Sequence, residues 1–504
     1  MKHKEFKRVL IVNRGEIAIR IIRALRELGM ESICLYSDED ANSSYVRLAD
    51  YCYHLSGKLP QDTYLHCPKI IEAIKQTKAD AVHPGYGFLA ENLDFAKMVH
   101  EETTATFIGP NLKAMEILGT KISARKLMEE NKIPIVPGCQ KALGSYDELV
   151  KVVHKIGLPV ILKASAGGGG KGMRIIENEE EILANYEACK RESLNYFNCD
   201  KIFCEKYIAS PRHIEVQILC DKYNNGVHLY ERECTIQRRH QKIIEESPSL
   251  AITDQDRKNL GELSLKIASL VKYEGVGTVE FLYDNHDNKF YFMEMNTRIQ
   301  VEHPVTEMVT GVDLLKEQIK SAQGYPLQWK QEQITPKGHS IELRVTAEDP
   351  KNDFMPTSGY INKLNLPSYP FSRIDTFLTE NYEPPSYYDS LIAKVIVWGQ
   401  TREEALKRLA SLMSEMDISG LVTNQEFLAR ILEHPDFIQN NIDTNFIAKN
   451  KENLLTQGEN QDSKDDLNFA AIGAFIATKP DNFVYKNRQE NSSHWNNNSR
   501  TLYQ

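Results

Sequence analysis

The segment Tyr291–Pro304 (YFMEMNTRIQVEHP) alternates polar and apolar side chains in an order that could hold a cation beside an anion. In an extended strand, alternate side chains point to opposite faces. Carboxylates and amides supply oxygen ligands for a metal ion, and a guanidinium binds an anion. The alternative is a strand whose polar face is merely solvated. The polar set is Glu294, Asn296, Arg298, Gln300 and Glu302, and the opposite set is Met293, Met295, Thr297, Ile299 and Val301.

A second predicted strand, Gly277–Tyr283, precedes this segment and is separated from it by a short polar turn. If Tyr283 faces Tyr291 in a hairpin, Glu280 lies opposite Glu294. Facing residues have Cβ atoms about 4.5–5.5 Å apart, and like charges at that distance destabilise a sheet. A divalent cation would remove the repulsion, and oxygen ligands suit Mg²⁺ or Mn²⁺ rather than Zn²⁺. The predicted metal ligands are Glu280, Glu294 and Asn296.

A run of four glycines, Gly167–Gly170, lies between two predicted strands, Leu158–Ala164 and Met173–Ile176. Such a loop exposes backbone N–H groups to phosphate oxygens with no side chains in the way. It is not a Walker A loop, because a strand follows it rather than a helix. A flexible linker is the alternative, but Lys163 before the loop and Lys171 within it favour phosphate binding.

The chain begins with a strand–helix–strand pattern that is typical of α/β folds. A strand is predicted at Arg8–Val12, a helix at Ile17–Leu28 and a strand at Ile33–Tyr36. Further on, His83–Asn92 (HPGYGFLAEN) follows another predicted strand. Its glycines permit either a close approach to a ligand or a plain turn, so this motif alone is weak evidence of a site.

Charged side chains are concentrated in the second half of the chain. Five basic side chains, one of them a histidine, lie within Glu231–Lys242, although basic runs are most often solvated. Because this run precedes the acidic hairpin, the two together suit a site for ATP, a metal ion and an anionic second substrate. A helix is predicted at Ile117–Asn131, and a strand at Gly338–Ala347 would place Glu342 and Arg344 on one face.

Composition excludes several classes of protein. The 504 residues carry a net charge of −9, so nucleic-acid binding by neutralisation of phosphates is not expected. No apolar run is long enough to span a membrane. The nine cysteines show no metal-ligand spacing, which predicts reduced thiols in a cytoplasmic protein. A chain of this length is expected to form about two to four domains.

Eight short motifs, taken together and in order, resemble those of the biotin carboxylase family in the ATP-grasp superfamily. They cover roughly residues 5–450, and the set is specific although no single motif is. The motifs are NRGEIA from Asn13, HPGYGF from His83, KASAGGGGKGM from Lys163, EKY from Glu205, RHIEVQ from Arg212, QRRHQK from Gln237, EMNTRIQVEHP from Glu294 and AEDP from Ala347.

The resemblance implies a multidomain protein of the α/β and α+β classes. Residues 1–120 would form an N-terminal doubly wound pre-ATP-grasp domain. Residues 121–332 would form an ATP-grasp domain with a glycine-rich lid at about 136–207. Residues 333–450 would form a C-terminal α+β biotin carboxylase domain, followed by a poorly ordered tail at 451–504.

The resemblance also implies roles for individual residues. Glu302 matches the base that deprotonates bicarbonate, Arg344 matches the residue that steadies the biotin enolate, and Tyr86 lies where the biotin ring is held. The expected catalytic residues are Glu302, Arg298, Lys242 and Arg344, and the bicarbonate pocket comprises Lys242, Arg298, Gln300 and Val301. The expected nucleotide-binding residues are Lys121, Lys163, Gly168, Gly169, Gly170, Lys171, Gly172, Glu205, Lys206, Ile208, His213, Gln237 and His240.

The implied reaction is ATP- and bicarbonate-dependent N-carboxylation of carrier-bound biotin through carboxyphosphate, with Mg²⁺ or Mn²⁺. It is the first half-reaction of an acyl-CoA carboxylase, such as the acetyl-CoA carboxylase of fatty acid biosynthesis. Because the chain has no Met-Lys-Met biotinylation motif, the biotin carboxyl carrier protein is expected on a separate chain, unless this chain is truncated. Carboxyltransferase subunits and a second copy in a homodimer are also expected partners, whereas nucleic acid and membrane are not.

Three alternatives remain at this point. Thr120 and the segment His434–Ile447 favour, weakly, a truncated α subunit of methylcrotonyl-CoA or propionyl-CoA carboxylase. Another ATP-grasp ligase would act on a different carboxylate or on ammonia, and it would form ADP without biotin. A non-enzymatic scaffold or nucleotide sensor would bind ATP without turnover.

Overall fold

A five-stranded parallel sheet forms the first part of the computed structural model, which describes residues 3–139, 142–164, 173–197 and 202–455. Its elements are β1 (Arg8–Ile11), α1 (Gly15–Glu27), β2 (Glu31–Ser37), α2 (Ser44–Leu48), β3 (Tyr51–Leu55), α3 (Cys67–Thr77), β4 (Ala81–His83), α4 (Leu93–Glu102), β5 (Thr106–Phe107) and α5 (Leu112–Leu118). The strand order is β3-β2-β1-β4-β5, so the topological switch point lies between β1 and β4. The predicted strand–helix–strand start is confirmed, with bounds shifted by a residue or two.

A three-stranded antiparallel sheet follows, in the order β7-β6-β8. Its region comprises α6 (Lys121–Glu130), α7 (Tyr146–Ile156), β6 (Val160–Ala164), β7 (Met173–Ile176), α8 (Ile182–Phe197) and β8 (Ile202–Lys206). The prediction of one helix over 117–131 is wrong, because Thr120 begins a second helix as its N-cap. The Thr120 hydroxyl accepts a hydrogen bond from the Ser123 N–H at 3.2 Å. The predicted glycine-rich loop lies outside the described residues.

An eight-stranded sheet makes up the centre of the molecule. The elements that follow β8 are β9 (Pro211–Cys220), β10 (Gly226–Arg238), β11 (Gln241–Ser247), α9 (Asp254–Leu270), β12 (Gly275–Asp284), β13 (Lys289–Asn296), α10 (His303–Thr310) and α11 (Leu314–Gln323). They continue with β14 (His339–Thr346), β15 (Glu348–Asp349), β16 (Met355–Pro356), β17 (Lys363–Asn365), β18 (Ser372–Thr376), β19 (Leu391–Gly399), α12 (Arg402–Glu415) and β20 (Asp417–Ser419). The sheet order is β13-β12-β9-β10-β11-β14-β19-β18, so it runs across residue 332, where the sequence predicts a domain boundary.

Short helices complete the described chain. They are α13 (Gln425–Glu433), α14 (Pro435–Ile438), α15 (Phe446–Lys449) and α16 (Lys451–Leu455), and 3₁₀ helices occur at Pro60–Asp62, Glu179–Glu181, Gln331–Gln333 and Pro350–Asn352. Most of the tail predicted at 451–504 lies outside the described residues. Within the described part, no helix is both long and apolar enough to cross a membrane. The eight cysteines in that part are all free thiols.

The predicted β12–β13 hairpin is present, and Glu280 does lie opposite Glu294. The rest of the predicted register is wrong by one residue, because a register shift between Glu280 and Phe281 places Phe290, rather than Tyr291, opposite Tyr283. The hydrophobic core beneath this hairpin includes Phe281, which is fully buried. A bulge of this kind keeps the apolar side chains on the core side while the two glutamates face each other.

The predicted extended strand is also wrong beyond Asn296, where β13 ends. The N–H of Thr297 donates to the carboxylate of Glu91 at 2.9 Å instead of continuing the strand ladder. The chain then bends and enters α10 just after Glu302. Strict period two therefore does not govern the second half of this segment, although several of its polar side chains still reach one cavity.

Candidate active site

Side chains from three parts of the chain line a cavity of about 1140 Å³. The turns after β1 and β4 form one wall, the strands β9 to β13 supply most of the charged groups, and β14 contributes a further arginine. Of the predicted site residues, those that line the cavity are Tyr86, Lys163, His213, Gln237, His240, Lys242, Glu280, Glu294, Asn296, Arg298, Gln300, Val301, Glu302 and Arg344.

The two N-terminal turns are tied together at the switch point of the parallel sheet. Asn13, which is buried, donates from Nδ2 to the carbonyls of Pro84 and Tyr86, each at 2.7 Å. Gly85 has φ +62°, and a Cβ there would lie 2.9 Å from Asn13 Nδ2, so this close approach requires glycine. The Tyr86 hydroxyl donates to Glu16, and burial raises the pKa of Tyr86 well above its usual value. A neutral phenol therefore faces the cavity at neutral pH.

Lys242 lies among three buried carboxylates, and we call these four residues the buried ion cluster. Its Nζ lies 2.5 Å from Glu215, 2.9 Å from Glu280 and 2.7 Å from Glu302. The lysine is on β11, the first two carboxylates face each other on β9 and β12, and the third lies at the N-terminus of α10. The adjacent strands thus bring together groups that are up to 87 residues apart in sequence, since 302 − 215 = 87.

Electrostatics keep the buried ion cluster charged. Burial alone would lower the pKa of Lys242, but the attraction of Glu215, Glu302 and Glu280 outweighs it and raises that pKa well above its usual value. Burial would also raise the pKa of Glu280 and of Glu302, but Lys242 lowers both. His213 lies 3.2 Å from Glu280, which overcomes the effect of burial and raises the pKa of His213 to about 9.

Sequence reasoning missed two members of this network, Glu215 and Arg232. Arg232 is fully buried, and its Nε donates to Glu215 at 2.6 Å. Its Nη1 donates to Gln217 at 2.7 Å, and its Nη2 donates to Gln300 at 2.6 Å. The solvated alternative for the basic run is therefore wrong for this residue. The signal that could have found Glu215 is the alternation along β9, which places it on the same face as His213 and Gln217.

The groups predicted as metal ligands have the chemistry that Mg²⁺ or Mn²⁺ requires. Glu280 and Glu294 face each other across the hairpin, and the lowered pKa of Glu280 keeps it ionised. Asn296 Nδ2 donates to Glu280 Oε1 at 2.9 Å. A half-turn of that amide would direct its oxygen to the same place, so two carboxylates and an amide oxygen can share a hard cation.

Arg298 lies at the more exposed edge of the cavity, with 21% of its side chain accessible. Its Nε donates to Glu91 Oε2 at 3.0 Å, and we call Arg298 and Glu91 the rim pair. Its Nη2 donates to Asn296 Oδ1 at 2.8 Å, and its Nη1 donates to the carbonyl of Ile299 at 3.2 Å. The guanidinium is therefore fixed on three sides, next to the proposed metal ligands.

Arg344 links Glu302 to a second pair of carboxyl groups. Its Nη2 donates to Glu302 at 2.9 Å, and its Nε donates to Glu245 at 2.6 Å. Glu245 lies opposite Glu342 in the pairing of β11 with β14. Burial raises the pKa of Glu245 to about 7 and that of Glu342 well above its usual value, so Glu342 is neutral at neutral pH. Glu302 is consequently shared by two cations, Lys242 and Arg344.

The predicted nucleotide-binding residues are only partly brought together. Lys163 lines the cavity and donates to Glu205 at 2.6 Å, and Arg125 holds the other oxygen of Glu205 at 2.8 Å. Lys206 instead donates to the carbonyl of Leu158 at 2.9 Å, and neither it nor the buried Ile208 lines the cavity. Lys121 is the first residue of α6, and Gly168, Gly169, Gly170, Lys171 and Gly172 lie outside the described residues.

Comparison with protein families gives three consecutive matches. Residues 5–115 match the biotin carboxylase N-terminal domain. Residues 120–330 match the ATP-binding domain of the carbamoyl-phosphate synthase L chain. Residues 342–449 match the biotin carboxylase C-terminal domain. The three matches follow the order of the parts that meet at the cavity.

Individual proteins are similar over most of the chain. Biotin carboxylase 1 of Bacillus subtilis is 47% identical over 441 residues, which cover 88% of this chain and 98% of that protein. The small subunit of 2-oxoglutarate carboxylase from Hydrogenobacter thermophilus is 44% identical, covering 94% of this chain and 99% of that protein. The crystal structure of the biotin carboxylase domain dimer of the latter enzyme, with MgADP, ADP and bicarbonate, superposes with a TM-score of 0.82 at 44% identity. It covers 91% of this chain and all of that one.

Proposed function

This chain belongs to the biotin carboxylase family, and we propose that its cavity is where ATP and bicarbonate are used to carboxylate biotin. The observation that carries the proposal is that Glu302 is bound by both Lys242 and Arg344 beside Glu280. A base, an anion site and a metal ligand are thereby adjacent. The comparisons do not favour the alternatives of a truncated α subunit or of a different ATP-grasp ligase.

The first step activates bicarbonate, and its residues are the buried ion cluster and the rim. Glu302 is ionised because Lys242 lowers its pKa, so it is ready to accept the proton of bicarbonate. Lys242 and Arg298 hold the anion, with Gln300 and the backbone of Val301 completing the pocket. The deprotonated anion attacks the γ-phosphorus of ATP, which releases ADP and forms carboxyphosphate. Positioning supplies much of the rate in such phosphoryl transfer.

The nucleotide is bound on the side of the cavity that carries Lys163, which Glu205 orients. His213, Gln237 and His240 line the same cavity. Glu280, Glu294 and Asn296 would hold Mg²⁺ or Mn²⁺. Such a cation, when bound, bridges phosphate oxygens and neutralises the charge that develops on them.

The second step transfers the carboxyl group to biotin. Carboxyphosphate breaks down to CO₂ and phosphate, and the phosphate takes the ureido proton of biotin. Arg344 offsets the charge of the resulting enolate oxygen, since a buried guanidinium stabilises an oxyanion more strongly than an exposed one. Tyr86 holds the ring from the N-terminal wall. The enolate nitrogen then attacks CO₂ to give N-carboxybiotin.

The partners follow from the reaction. The biotin is carried by a biotin carboxyl carrier protein on a separate chain, because this sequence has no Met-Lys-Met motif. Carboxyltransferase subunits then use the carboxybiotin. A homodimer is proposed because the similar 2-oxoglutarate carboxylase domain is a dimer.

The test is ADP release by the purified chain with Mg-ATP, bicarbonate and free biotin. We expect release that depends on both bicarbonate and biotin, and that is lost in Glu302→Gln because the base is removed. ATP binding by Glu302→Gln, measured separately, shows that the variant is folded. ADP release equal to that of Glu302→Gln, or release without biotin, would contradict the proposed function.

A further inference from the structure

Glu91 reaches the active site from the N-terminal part of the chain, and no step of the reaction described above uses it. Its Oε2 accepts from Arg298 Nε at 3.0 Å, and its Oε1 accepts from the Thr297 N–H at 2.9 Å. We propose that Glu91 is a positioning residue that sets the orientation of Arg298 for bicarbonate. The inference rests on the proposed function, because it assigns a supporting residue to the same anion site.

The two contacts of Glu91 fix the place and the direction of Arg298. The bond to the Thr297 N–H stops β13 at Asn296, so the chain turns before the arginine. The bond to Nε then sets the plane of the guanidinium. A guanidinium has five N–H donors in a rigid fork. Among the described residues, three of them meet protein acceptors, which leaves two for an anion.

Glu91 is itself held firmly, which a positioning residue requires. Leu89 and Ala90 before it are buried, and the Asn92 N–H donates to the carbonyl of Leu89 at 3.1 Å. The side chain of Asn92 caps α4 by accepting from the Phe95 N–H at 2.8 Å. The carboxylate therefore projects from a turn whose backbone is fixed on both sides. This holding turn belongs to a different part of the chain from the one that carries Arg298.

A carboxylate beside an anion site would be unfavourable if its only effect were charge. Glu91 attracts the guanidinium and repels bicarbonate, so a purely electrostatic role predicts tighter bicarbonate binding when its charge is removed. A positioning role predicts the opposite, because the guanidinium loses its orientation. Small misplacements of a binding group can cost up to about 10²-fold in rate. The sign of the effect of Glu91→Gln therefore separates the two roles.

The test compares Glu91→Gln with the wild-type chain in the assay with Mg-ATP, bicarbonate and free biotin. We expect kcat/KM for bicarbonate to fall about tenfold, while KM for ATP changes less than about twofold. Glu102→Gln is the matched control, because Glu102 ends the helix that follows Glu91 and has similar exposure, 44% against 40%. It should leave both constants unchanged.

Two further variants show that the effect passes through Arg298. In an Arg298→Lys background, Glu91→Gln should cost less than about twofold, because an ammonium has no planar fork to orient. Glu91→Asp keeps the charge but shortens the reach, so it should lie between wild type and Glu91→Gln. It also provides a second reading if Glu91→Gln is poorly folded.

The inference is overturned if Glu91→Gln tightens bicarbonate binding or leaves it unchanged. It is also overturned if the loss is the same in the Arg298→Lys background, since Glu91 would then act by another route. These results require an active wild-type chain. If the wild type shows no release of ADP that depends on bicarbonate and biotin, the proposed function fails instead.

Discussion

The buried ion cluster and the rim pair join the same kinds of charged group, but they differ in exposure to water. In the cluster, the side chains of Lys242, Glu280 and Glu302 are 13%, 6% and 2% accessible. In the rim pair, Arg298 and Glu91 are 21% and 40% accessible. Charges that are screened by solvent interact weakly, whereas buried charges must be matched.

This difference divides the work of binding between the two regions. The cluster holds groups whose charge states are fixed by one another, as the raised pKa of Lys242 and the lowered pKa of Glu302 indicate. The rim pair comes from two separate parts of the chain, and its contact can open without leaving a fully buried charge. We therefore expect removal of a charge to cost most in the cluster and least at the rim.

The largest effect is expected from Lys242→Gln. The substitution removes the cation that three carboxylates share, and with it a binding group for bicarbonate. Bicarbonate-dependent ADP release should fall about 10³-fold, or about 4 kcal/mol, while ATP binding changes by less than about threefold. The exposed Lys363→Gln is the control. Loss of ATP binding in Lys242→Gln would instead make this lysine a nucleotide ligand.

A smaller effect is expected when a proposed metal ligand is replaced. Glu294→Lys places an ammonium where a cation is proposed to bind, so ATP use that depends on Mg²⁺ or Mn²⁺ should fall about 10²-fold. The measurement is ADP release over a titration of each metal. Asp287→Lys, in the exposed turn of the same hairpin, should show the wild-type metal dependence. If Glu294→Lys also showed it, the proposed ligand set would be wrong.

A buried ion pair away from the cavity separates burial from catalysis. Glu246 accepts hydrogen bonds from Arg402 at 2.6 and 2.9 Å and contacts His339 at 2.8 Å. Burial would raise the pKa of Glu246, but these partners lower it from 4.5 to about 2. At about 1.4 kcal/mol per pKa unit, Glu246→Gln should cost about 3 kcal/mol of unfolding free energy at pH 7, with the active site intact.

The pH dependence of that loss has a defined sign. A carboxylate whose pKa is lowered in the folded state stabilises the protein above its unfolded pKa, and this contribution is lost as pH falls from 4.5 to about 2. Urea unfolding of wild type and Glu246→Gln should therefore differ most near pH 7 and converge towards pH 2. The exposed Glu403→Gln should match the wild type throughout. A difference that stays constant with pH would contradict this assignment.

Local patterns in the sequence were sufficient for part of this site. Alternation in two neighbouring strands and a polar turn between them predicted that Glu280 faces Glu294, and the hairpin has that pairing. The same reasoning misplaced Tyr283, because a bulge adds a residue without changing composition. It also extended β13 too far, because the group that ends the strand is Glu91, about 200 residues earlier in the chain, since 297 − 91 = 206.

Buried charges were the other limit. Arg232 belongs to a basic run that composition alone treats as solvated, yet it is fully enclosed by partners on four other segments. Only the order of strands in the central sheet brings those partners together. Sequence therefore indicates which charged residues are unusual, whereas tertiary pairing decides which of them can be buried.

The smallest effect should appear when salt is used to compare the two regions. Screening acts over about 10 Å at 0.1 M salt and about 3 Å at 1 M, and it acts mainly on exposed charges. The tenfold difference in kcat/KM for bicarbonate between wild type and Glu91→Gln should shrink to about threefold between 0.05 M and 0.5 M KCl, because the rim pair is weakened in the wild type. General effects of salt on bicarbonate cancel in this ratio. The loss in Lys242→Gln should stay constant over the same range, because that cluster is buried. If both ratios shrank equally, exposure would not be what distinguishes the cluster from the rim.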